Sequence, residues 1–355
     1  MKGKTLALAI AVITFSIGVA LARFAISQKP PKTPPEKANA SVSNYLLSGP
    51  FSHENLTIFL IHGPDQPNSK LFVPLQEAME RKLVIVHETS DVNELAIENV
   101  DRTEEVFVQA GDIVKGGQQD RVLAVDLIVA SRSGKTPIDA FCVEHGRWEQ
   151  RGAEPAHKFD SSDAMVATRE LKVATKGMRS QGEVWKGVDT VQERLSGSVN
   201  ENVRALASRS SLQLAIENEK VQDLASGYVK KLESIVEGKS DVIGYVFAIN
   251  GKVNSGDVYN SAALFKRFWP KLLKTSAIEA VSERATNETA QKVSAEAVNQ
   301  FFSDAEGGHE TPRDVTERTH MIRRESEKAI FFETRDMAHG GGWVHRNYLA
   351  TDGAR

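Results

Sequence analysis

Residues 242–258 read Val242-Ile-Gly-Tyr-Val-Phe-Ala-Ile249, then Asn250-Gly251, then Lys252-Val-Asn-Ser-Gly-Asp-Val258. Asn-Gly readily adopts the positive φ angles of a two-residue hairpin turn, and strand-forming residues flank it here on both sides. The stretch therefore predicts two antiparallel strands joined by a tight turn.

Strand patterns recur towards both ends of the chain. Short apolar, β-branched runs separated by Gly, Asp, Asn or Ser are typical of strands joined by hairpin connections. They predict strands at 56–61, 83–87, 95–100, 105–109, 122–130, 138–144, 329–334 and 343–349. A short helix with a proline in its first turn is predicted at 74–81.

The middle of the chain shows helical periodicity instead. Apolar residues recur at spacings of three and four over 221–236, and Gly238 ends that pattern. Further helices are predicted at 184–195, 264–273 and 290–302, and Gly307-Gly308 ends the last of them. Pro270 is expected to kink or break the helix over 264–273.

Strands, then helices, then strands indicate an α+β fold rather than alternating βαβ units. We expect a mixed or antiparallel β-rich core with a helical middle segment. No stretch rich in Pro and Gly divides residues 51–352, so these residues are predicted to form a single large domain.

Composition limits the class of function. The chain has 355 residues, of which 41% are hydrophobic, and a net charge of -3 from 44 basic and 47 acidic residues. This balance argues against a nucleic-acid-binding protein, which usually carries a basic excess or a basic face. Cys142 is the only cysteine, so no internal disulfide forms.

The N-terminus has the pattern of an export signal. Lys2 and Lys4 precede the uncharged run from Thr5 to Ala22, and Ala20-Leu21-Ala22 matches the small-x-small site of signal peptidase. The run is also just long enough to span a bilayer. Residues 1–22 are therefore predicted to be either a cleaved signal peptide or a retained membrane anchor.

A proline-rich segment follows this signal. Residues 23–50 are predicted to be a linker, because the paired prolines between Pro30 and Pro35 favour extended polyproline II. The domain is then expected outside the cytoplasm, either periplasmic or secreted, or anchored with the domain outside. This location argues against chemistry that depends on cytoplasmic ATP or NAD, and we expect no cofactor.

Familiar catalytic motifs are incomplete in this sequence. Gly134-Lys135-Thr136 resembles the end of a phosphate-binding loop, but Val129 stands where the first Gly belongs and Pro137 where a helix should begin. No His-Glu-x-x-His motif and no pair of cysteines occurs, so no recognised zinc site is expected.

The first candidate segment for ligand binding is Gly111-Asp-Ile-Val-Lys-Gly-Gly-Gln-Gln-Asp-Arg121. Its glycines permit positive φ, so successive backbone N–H groups can point together at an anion. The candidate residues are Gly116, Gly117, Gln118, Asp120 and Arg121. The alternative is a pair of tight turns in which Asp120 and Arg121 form a salt bridge.

The second candidate segment is Phe141-Cys-Val-Glu-His-Gly-Arg-Trp148. Glu144 or His145 would act as acid or base, Arg147 as an anion clamp and Trp148 as a stacking platform. Cys142 would be a nucleophile only if its pKa were lowered, and a buried, inert cysteine is the alternative.

A third group of charged residues lies near the C-terminus. It comprises Glu333, Arg335, His339, His345 and Arg346, and a solvated edge is favoured over a functional cluster.

These two candidate segments, together with Gln181-Gly-Glu-Val-Trp185 and Ile243-Gly-Tyr-Val-Phe-Ala-Ile-Asn-Gly-Lys252, resemble the ARG and rhodanese-phosphatase-superfamily-associated protein domain family. The resemblance covers roughly residues 56–349. The family's association with ADP-ribosylglycohydrolase, rhodanese and phosphatase domains implies phosphate or ADP-ribose-like ligands. It supplies no catalytic residues to carry over.

Three hypotheses follow. The domain binds an anionic or sugar-like ligand through Gly111–Arg121 with Arg147 and Trp148. Alternatively, it is a hydrolase in which Asp120, Glu144 or His145 acts as acid or base on a phosphate or ADP-ribose-like substrate. In the third, it is a structural or interaction domain, and both segments only shape turns. The catalytic residues and the oligomeric state stay open.

Overall fold

The computed structural model describes residues 45–67, 69–89, 91–147, 158–284 and 292–351. Its central feature is the predicted hairpin, formed by strands Val242–Ile249 and Lys252–Tyr259, with Asn250 and Gly251 at φ 50° and 78° in the turn. Every residue of the first strand is buried, because the sheet is covered on both faces.

Seventeen strands and seven α-helices occur in these described ranges. The strands are β1 (Leu46–His53), β2 (Leu56–His62), β3 (Val73–Pro74), β4 (Val84–Glu88), β5 (Glu94–Asn99), β6 (Val106–Val108), β7 (Asp112–Gly116), β8 (Arg121–Leu123), β9 (Leu127–Val129), β10 (Thr136–Cys142), β11 (Phe159–Met165), β12 (Val242–Ile249), β13 (Lys252–Tyr259), β14 (His309–Asp314), β15 (Thr319–Glu325), β16 (Ala329–Asp336) and β17 (Gly342–Ala350). The helices are α1 (Leu75–Glu80), α2 (Arg169–Lys172), α3 (Gln181–Val199), α4 (Leu212–Ile216), α5 (Glu219–Leu232), α6 (Ala262–Ser282) and α7 (Ala295–Glu306).

The largest sheet has eight strands in the order β1-β2-β12-β13-β17-β16-β15-β14, all paired antiparallel. A six-stranded antiparallel sheet has the order β11-β7-β8-β10-β5-β4, and a third sheet has the order β3-β6-β9. The short β3–β6 pair is parallel. The prediction of an α+β fold with a β-rich core is confirmed.

One predicted strand is split between two sheets. Residues 122–130 were expected to form one strand, but β8 ends at Leu123 and β9 begins at Leu127 in the three-stranded sheet. Asp126 lies in the break, and its side chain turns into a buried polar network instead of following the pleat.

The helical middle segment is confirmed, since α2, α3, α4 and α5 all lie between β11 and β12. The periodic face over 221–236 is α5 followed by a tighter 3₁₀ turn at Glu233–Val236, and Gly238 follows at φ 70°. Between α2 and α3 the chain forms a π-helix, Val173–Met178, that the sequence did not predict.

A kink or a break was expected at Pro270, and the break is excluded because α6 continues through that residue. Proline removes one helical hydrogen bond, at a cost of about 3 kcal/mol in an exposed helix. Here the helix is held by its packing, because Leu264, Phe265 and Phe268 are buried against the sheet. Tertiary contacts therefore outweigh the local preference.

The two long helices of the second half cover opposite faces of the eight-stranded sheet. Tyr245 and Phe247 belong to the core on the α6 side, whereas Val246 and Ala248 pack in the core that includes Phe302 of α7. Successive strand residues point to opposite faces, so this alternation follows from the sequence of β12.

The described residues belong to one compact unit, as predicted. Strand β1 begins at Leu46, within the last residues of the segment predicted as a linker. The export signal or anchor at 1–22 and the rest of the linker lie outside the described residues. No helix in the described ranges is long and apolar enough to cross a membrane.

The C-terminal end of α6 is fastened by the hairpin turn. The side-chain amide of Asn250 donates to the backbone carbonyl of Glu283 at 2.8 Å. The carboxyl group of Glu283 is partly buried, and its burial, together with Glu279 and Glu170, raises its pKa to about 7.

Glu283→Gln should therefore stabilise the protein at pH 8 and have little effect at pH 4. When the pKa of an acid is higher in the folded state than in the unfolded state, the protein loses stability as pH rises. For Glu283 this loss occurs between the unfolded pKa of 4.5 and the folded pKa of about 7. We expect a gain on the order of 2 kcal/mol at pH 8 in urea unfolding. Glu237→Gln, at an exposed position, is the control. Equal effects of Glu283→Gln at both pH values would contradict this assignment.

Candidate functional site

The first predicted segment forms β7, a glycine turn and β8. Gly116 and Gly117 have φ of 110° and 56°, and a Cβ on Gly116 would lie 2.6 Å from the Lys158 carbonyl oxygen. Glycine is required here by conformation and by close packing.

The amides of this turn are already hydrogen-bonded within the chain. Gly116 N–H donates to Asp120 Oδ1 at 2.9 Å, and Gln118 N–H donates to Glu88 Oε1 at 2.9 Å. Gly117 N–H donates to the carbonyl of Lys158 at 3.2 Å. The backbone donors that were expected to face an anion thus engage the protein's own acceptors.

The structure brings Asp120, Glu144 and Arg147 together in one buried ionic cluster. Arg147 Nε lies 2.7 Å from Glu144 Oε2, and Arg147 Nη2 lies 3.6 Å from Asp120 Oδ1. Asp120 N–H donates to Glu144 Oε2, and Ser211 Oγ donates to Asp120 Oδ2. Both carboxylates are fully buried. The cluster ties the glycine turn to the end of β10 and the start of α4.

Arg121 lies beside Cys142 and does not form the salt bridge with Asp120 that was offered as an alternative. It is buried and donates to Gln119 Oε1 at 2.7 Å and to Cys142 Sγ at 2.5 Å, with Glu88 at 3.8 Å. Burial raises the pKa of the Cys142 thiol although Arg121 opposes that effect. Cys142 therefore matches the inert alternative and not the nucleophile.

His145 and Trp148 are the two aromatic candidates of the second segment. The His145 ring packs edge-on against Trp185, with ring centroids 4.4 Å apart. Trp148 lies outside the described residues. Of the nine predicted binding residues, the cluster around the glycine turn thus contains the glycines, Gln118, Asp120, Glu144 and Arg147.

A second polar centre, which the sequence did not indicate, lies around His345. The imidazole is enclosed by two carboxylates: Nδ1 is 2.7 Å from Asp126 Oδ2 and Nε2 is 3.0 Å from Asp257 Oδ1. All three side chains are at least nine-tenths buried. The Tyr259 ring stacks on the imidazole, with centroids 4.8 Å apart. The expectation that His345 lies on a solvated edge is therefore wrong, because it is a core residue.

The imidazole and the carboxylates of this centre shift one another's pKa values towards the charged forms. Burial alone would lower the pKa of His345, but Asp126 and Asp257 raise it to about 9. Burial likewise opposes ionisation of Asp126, yet His345 and Lys176 bring its pKa to about 2. The imidazole is therefore a fixed cation that donates at both nitrogens, and it is not poised to act as a general base.

Neutral groups complete the hydrogen bonding of the two carboxylates. Asp257 Oδ1 also accepts from Gln109 Nε2 at 3.1 Å and from Asn347 Nδ2 at 2.9 Å. Asp126 accepts from Thr334 Oγ1 at 2.7 Å and from the backbone N–H of Ala110 at 2.8 Å. Such full satisfaction is what a buried ionic group needs to be tolerated.

Lys176 stands at the edge of this centre, on the π-helix Val173–Met178. Its ammonium donates to Asn347 Oδ1 at 3.2 Å. Burial lowers the pKa of Lys176, although Asp257 and Asp126 oppose the shift. Single π-helical turns occur frequently at functional sites, because they re-aim side chains at some cost in backbone stability.

Two small cavities of about 20 Å³ each lie on either side of Lys176. Each has room for roughly one water molecule. Arg179, which follows the π-helix in the left-handed conformation at φ 52°, lines one of them together with Lys176. The full lining of that cavity is Ala110, Ala124, Val125, Asp126, Lys176, Arg179, Met321, Phe332 and Asn347.

The other cavity is bounded by a second ion pair. Lys172 Nζ lies 2.6 Å from Glu279 Oε2 and donates to Ser255 Oγ at 3.1 Å. Glu279 is fully buried and accepts from Asn254 Nδ2 at 2.8 Å. Lys172 and Glu279 thus neutralise each other.

A larger groove of about 550 Å³ lies between α5 and α6. It is of the size that small-molecule sites have. Two of its lysines are engaged, since Lys271 lies 2.6 Å from Asp112 and Lys274 lies 2.5 Å from Asp163. The groove therefore has less uncompensated charge than its composition suggests.

Comparison with known proteins agrees with this description of one continuous domain. The family model of the ARG and Rhodanese-Phosphatase-superfamily-associated Protein domain matches residues 44–349. The chain belongs to this family. No curated protein and no solved structure matches it.

In this family member, the centre around His345 was missed because its residues are dispersed in sequence. His345 is 219 residues from Asp126 and 88 from Asp257. One local signal was present, namely the lone aspartate Asp126 inside the otherwise apolar run 122–130. No group of His, Cys, Asp or Glu suited to a metal ion occurs in the part of the chain that the structure describes.

His345→Gln should destabilise the domain by about 3–5 kcal/mol, because it leaves two buried carboxylates without their cation. In the wild type, the contribution of His345 is complete below its unfolded pKa of 6.5 and is lost as pH rises through 9. The variant should lack this alkaline decline in urea unfolding.

The control is His87→Gln, which removes a partly exposed His–Glu contact and should change stability by less than about 1 kcal/mol. In NMR spectra of the wild type, the His345 imidazole should stay protonated at pH 8. A neutral imidazole at that pH would refute the assignment.

Proposed function

We propose that this domain binds a small anionic or sugar-like ligand at the mouth of the cavity lined by Lys176 and Arg179. The observation that carries the proposal is a shared carboxylate. Asp139 Oδ2 lies 2.5 Å from Arg179 Nη2 and 2.7 Å from Arg313 Nη2, so one acid serves two guanidinium groups.

A count of charges supports an anion at this position. Four cationic side chains (Lys176, Arg179, Arg313 and His345) face three carboxylates (Asp126, Asp139 and Asp257). With Lys176 protonated, one positive charge remains uncompensated. Arg179 Nη1 is buried and has no hydrogen-bond partner among the described residues. A guanidinium with spare donors is suited to phosphate or carboxylate oxygens.

The cavity size limits how the ligand would bind. About 20 Å³ accepts one oxygen-sized group, so the rest of the ligand would lie outside the cavity. The glycine turn is a weaker candidate, because its amides are bonded to Asp120, Glu88 and Lys158. The proposed binding site is therefore the Lys176–Arg179 mouth and not the glycine turn.

A second candidate, a hydrolase, is favoured by the lowered pKa of Lys176 beside a cavity of single-water size. An amine that deprotonates more readily can accept a proton from water that attacks a bound phosphate or ADP-ribose-like substrate. Asp120 and Glu144, the acids first considered, are engaged by Arg147 and are less suited to that role.

Arg179→Gln should weaken binding of inorganic phosphate, pyrophosphate and ADP-ribose to the full chain. A charge-assisted hydrogen bond is worth about 1.5–3 kcal/mol, so affinity should fall roughly 10- to 100-fold in isothermal titration calorimetry. Arg204→Gln, which removes a partly exposed arginine paired with Asp189, should leave affinity unchanged.

Unchanged affinity of Arg179→Gln would refute the proposed site. Release of product from a bound compound, lost in Lys176→Met, would support the hydrolase. No response to any of the three compounds would favour a structural or interaction domain.

We also propose that the domain works outside the cytoplasm, on the strength of the run from Thr5 to Ala22. When the full chain is expressed in a bacterial host, the domain should appear in the periplasmic or membrane fraction. If the signal is cleaved, the mature chain begins at Arg23, as mass spectrometry would show. Leu8→Arg with Ile10→Arg should retain it in the cytoplasm. Cytoplasmic wild-type protein would contradict the proposal.

A further inference from the structure

A second large groove, here named the α7 groove, lies between α7, the β12–β13 turn and the turn that joins β15 to β16. Its volume is about 620 Å³. Its lining includes the cations Arg169, Lys252 and Lys328 and the apolar residues Val253, Phe301 and Ala350. It shares no lining residue with the Lys176–Arg179 mouth.

The α7 groove has an excess of positive charge. Among the described residues, three cations line it against one acid, Asp304, which also accepts a hydrogen bond from Gln300 at 2.8 Å. Arg169 also interacts electrostatically with Glu170 and Glu283, so the excess charge rests on the two lysines. Lys252 and Lys328 are exposed, and neither forms an ion pair with another described residue. Both ammonium groups are therefore available to an incoming anion.

Arg169 adds a buried hydrogen-bond donor to the lining of the α7 groove. Its Nε is buried and has no hydrogen-bond partner in the described ranges. Glu170, the next residue of α2, is held by Arg194 through two contacts of 3.0 and 3.1 Å. Burying an unsatisfied guanidinium nitrogen is costly, and a ligand oxygen or water must offset that cost.

The groove also has apolar lining residues. Phe301 and Ala350 are almost fully buried, Val253 is partly buried, and Ala297 is exposed on α7. Cations beside apolar groups match a molecule with both properties. The volume is within the range of about 300–1,000 Å³ that small-molecule sites occupy.

We infer that the α7 groove binds an amphipathic anion, a molecule with an apolar chain and one carboxylate or phosphate group. The apolar chain packs on the exposed Ala297 and the partly buried Val253, beside the small exposed edge of Phe301. The anionic group faces Lys252, Lys328 and Arg169. This site is separate from the proposed small-anion site and does not depend on it.

The test uses the full chain with dodecanoate and dodecyl phosphate, each below its critical micelle concentration, in isothermal titration calorimetry. Lys252→Gln with Lys328→Gln should weaken both probes roughly tenfold, because two charge contacts are lost at exposed positions. Ala297→Glu, which places a negative charge in the groove without changing the core, should abolish binding. Lys186→Gln with Lys266→Gln is the matched control for loss of two exposed charges and should leave affinity unchanged.

Two comparisons identify the part of the ligand that binds. Acetate and inorganic phosphate should bind the α7 groove more weakly than the long-chain probes, and neutral dodecyl maltoside should not bind there. The double lysine variant should retain any phosphate binding that depends on Arg179. Long-chain binding that is unchanged in both groove variants would overturn the inference, since the probe would then be held elsewhere, for example by residues 5–22.

Discussion

The fold depends on one enclosed cation, the His345 imidazolium between Asp126 and Asp257. These side chains come from β17, from the break between β8 and β9, and from β13. The contact therefore links the large sheet to the chain segment that passes between the two smaller sheets. Neither carboxylate is tolerable without the cation, and the cation is not tolerable without both carboxylates. Because three separated elements must be correctly placed before any of the charges is compensated, the centre favours this arrangement over alternatives with the same apolar burial.

How much of the fold the sequence predicts depends on the regularity of each segment. Strand β12 and helix α5 are recognisable because β12 is apolar throughout and α5 has one apolar face, and Asn250-Gly251 marks the hairpin turn into β13. Strands β14 and β15 were not predicted, since residues such as Arg313, Arg323 and Arg324 leave no alternation to detect. Those strands form because their backbones continue an existing sheet. The path of α6 through Pro270 has the same origin, because packing there outweighs a local preference.

The candidate site shows the same limit more strongly. Sequence neighbours identified a cluster that does assemble, because Gly116, Asp120 and Glu144 lie on adjoining ends of β7, β8 and β10. Sequence proximity could not reveal that side chains of the same protein accept the hydrogen bonds of the glycine turn, as Asp120 and Glu88 do. Nor could they bring Asp126 to His345, since nothing local relates residues so far apart. A lone acid in an apolar run was the available signal, and it is informative because an uncompensated carboxylate would not persist there.

The π-helix connects this buried centre with the surface. A π-helical turn holds more residues than an α-helical turn, so it is normally retained only where surrounding contacts compensate for it. Here it is followed by Arg179 in the left-handed region, which is also unfavourable for a side chain of this size. Lys176, within the π-helix, and Arg179, directly after it, both line one cavity. In the interior, His345 and the nearby Lys176 offset Asp126 and Asp257, whereas at the mouth Arg179 and Arg313 share the single carboxylate of Asp139. An incoming anion would therefore meet the excess charge at the entrance and leave the interior network, on which the fold depends, undisturbed.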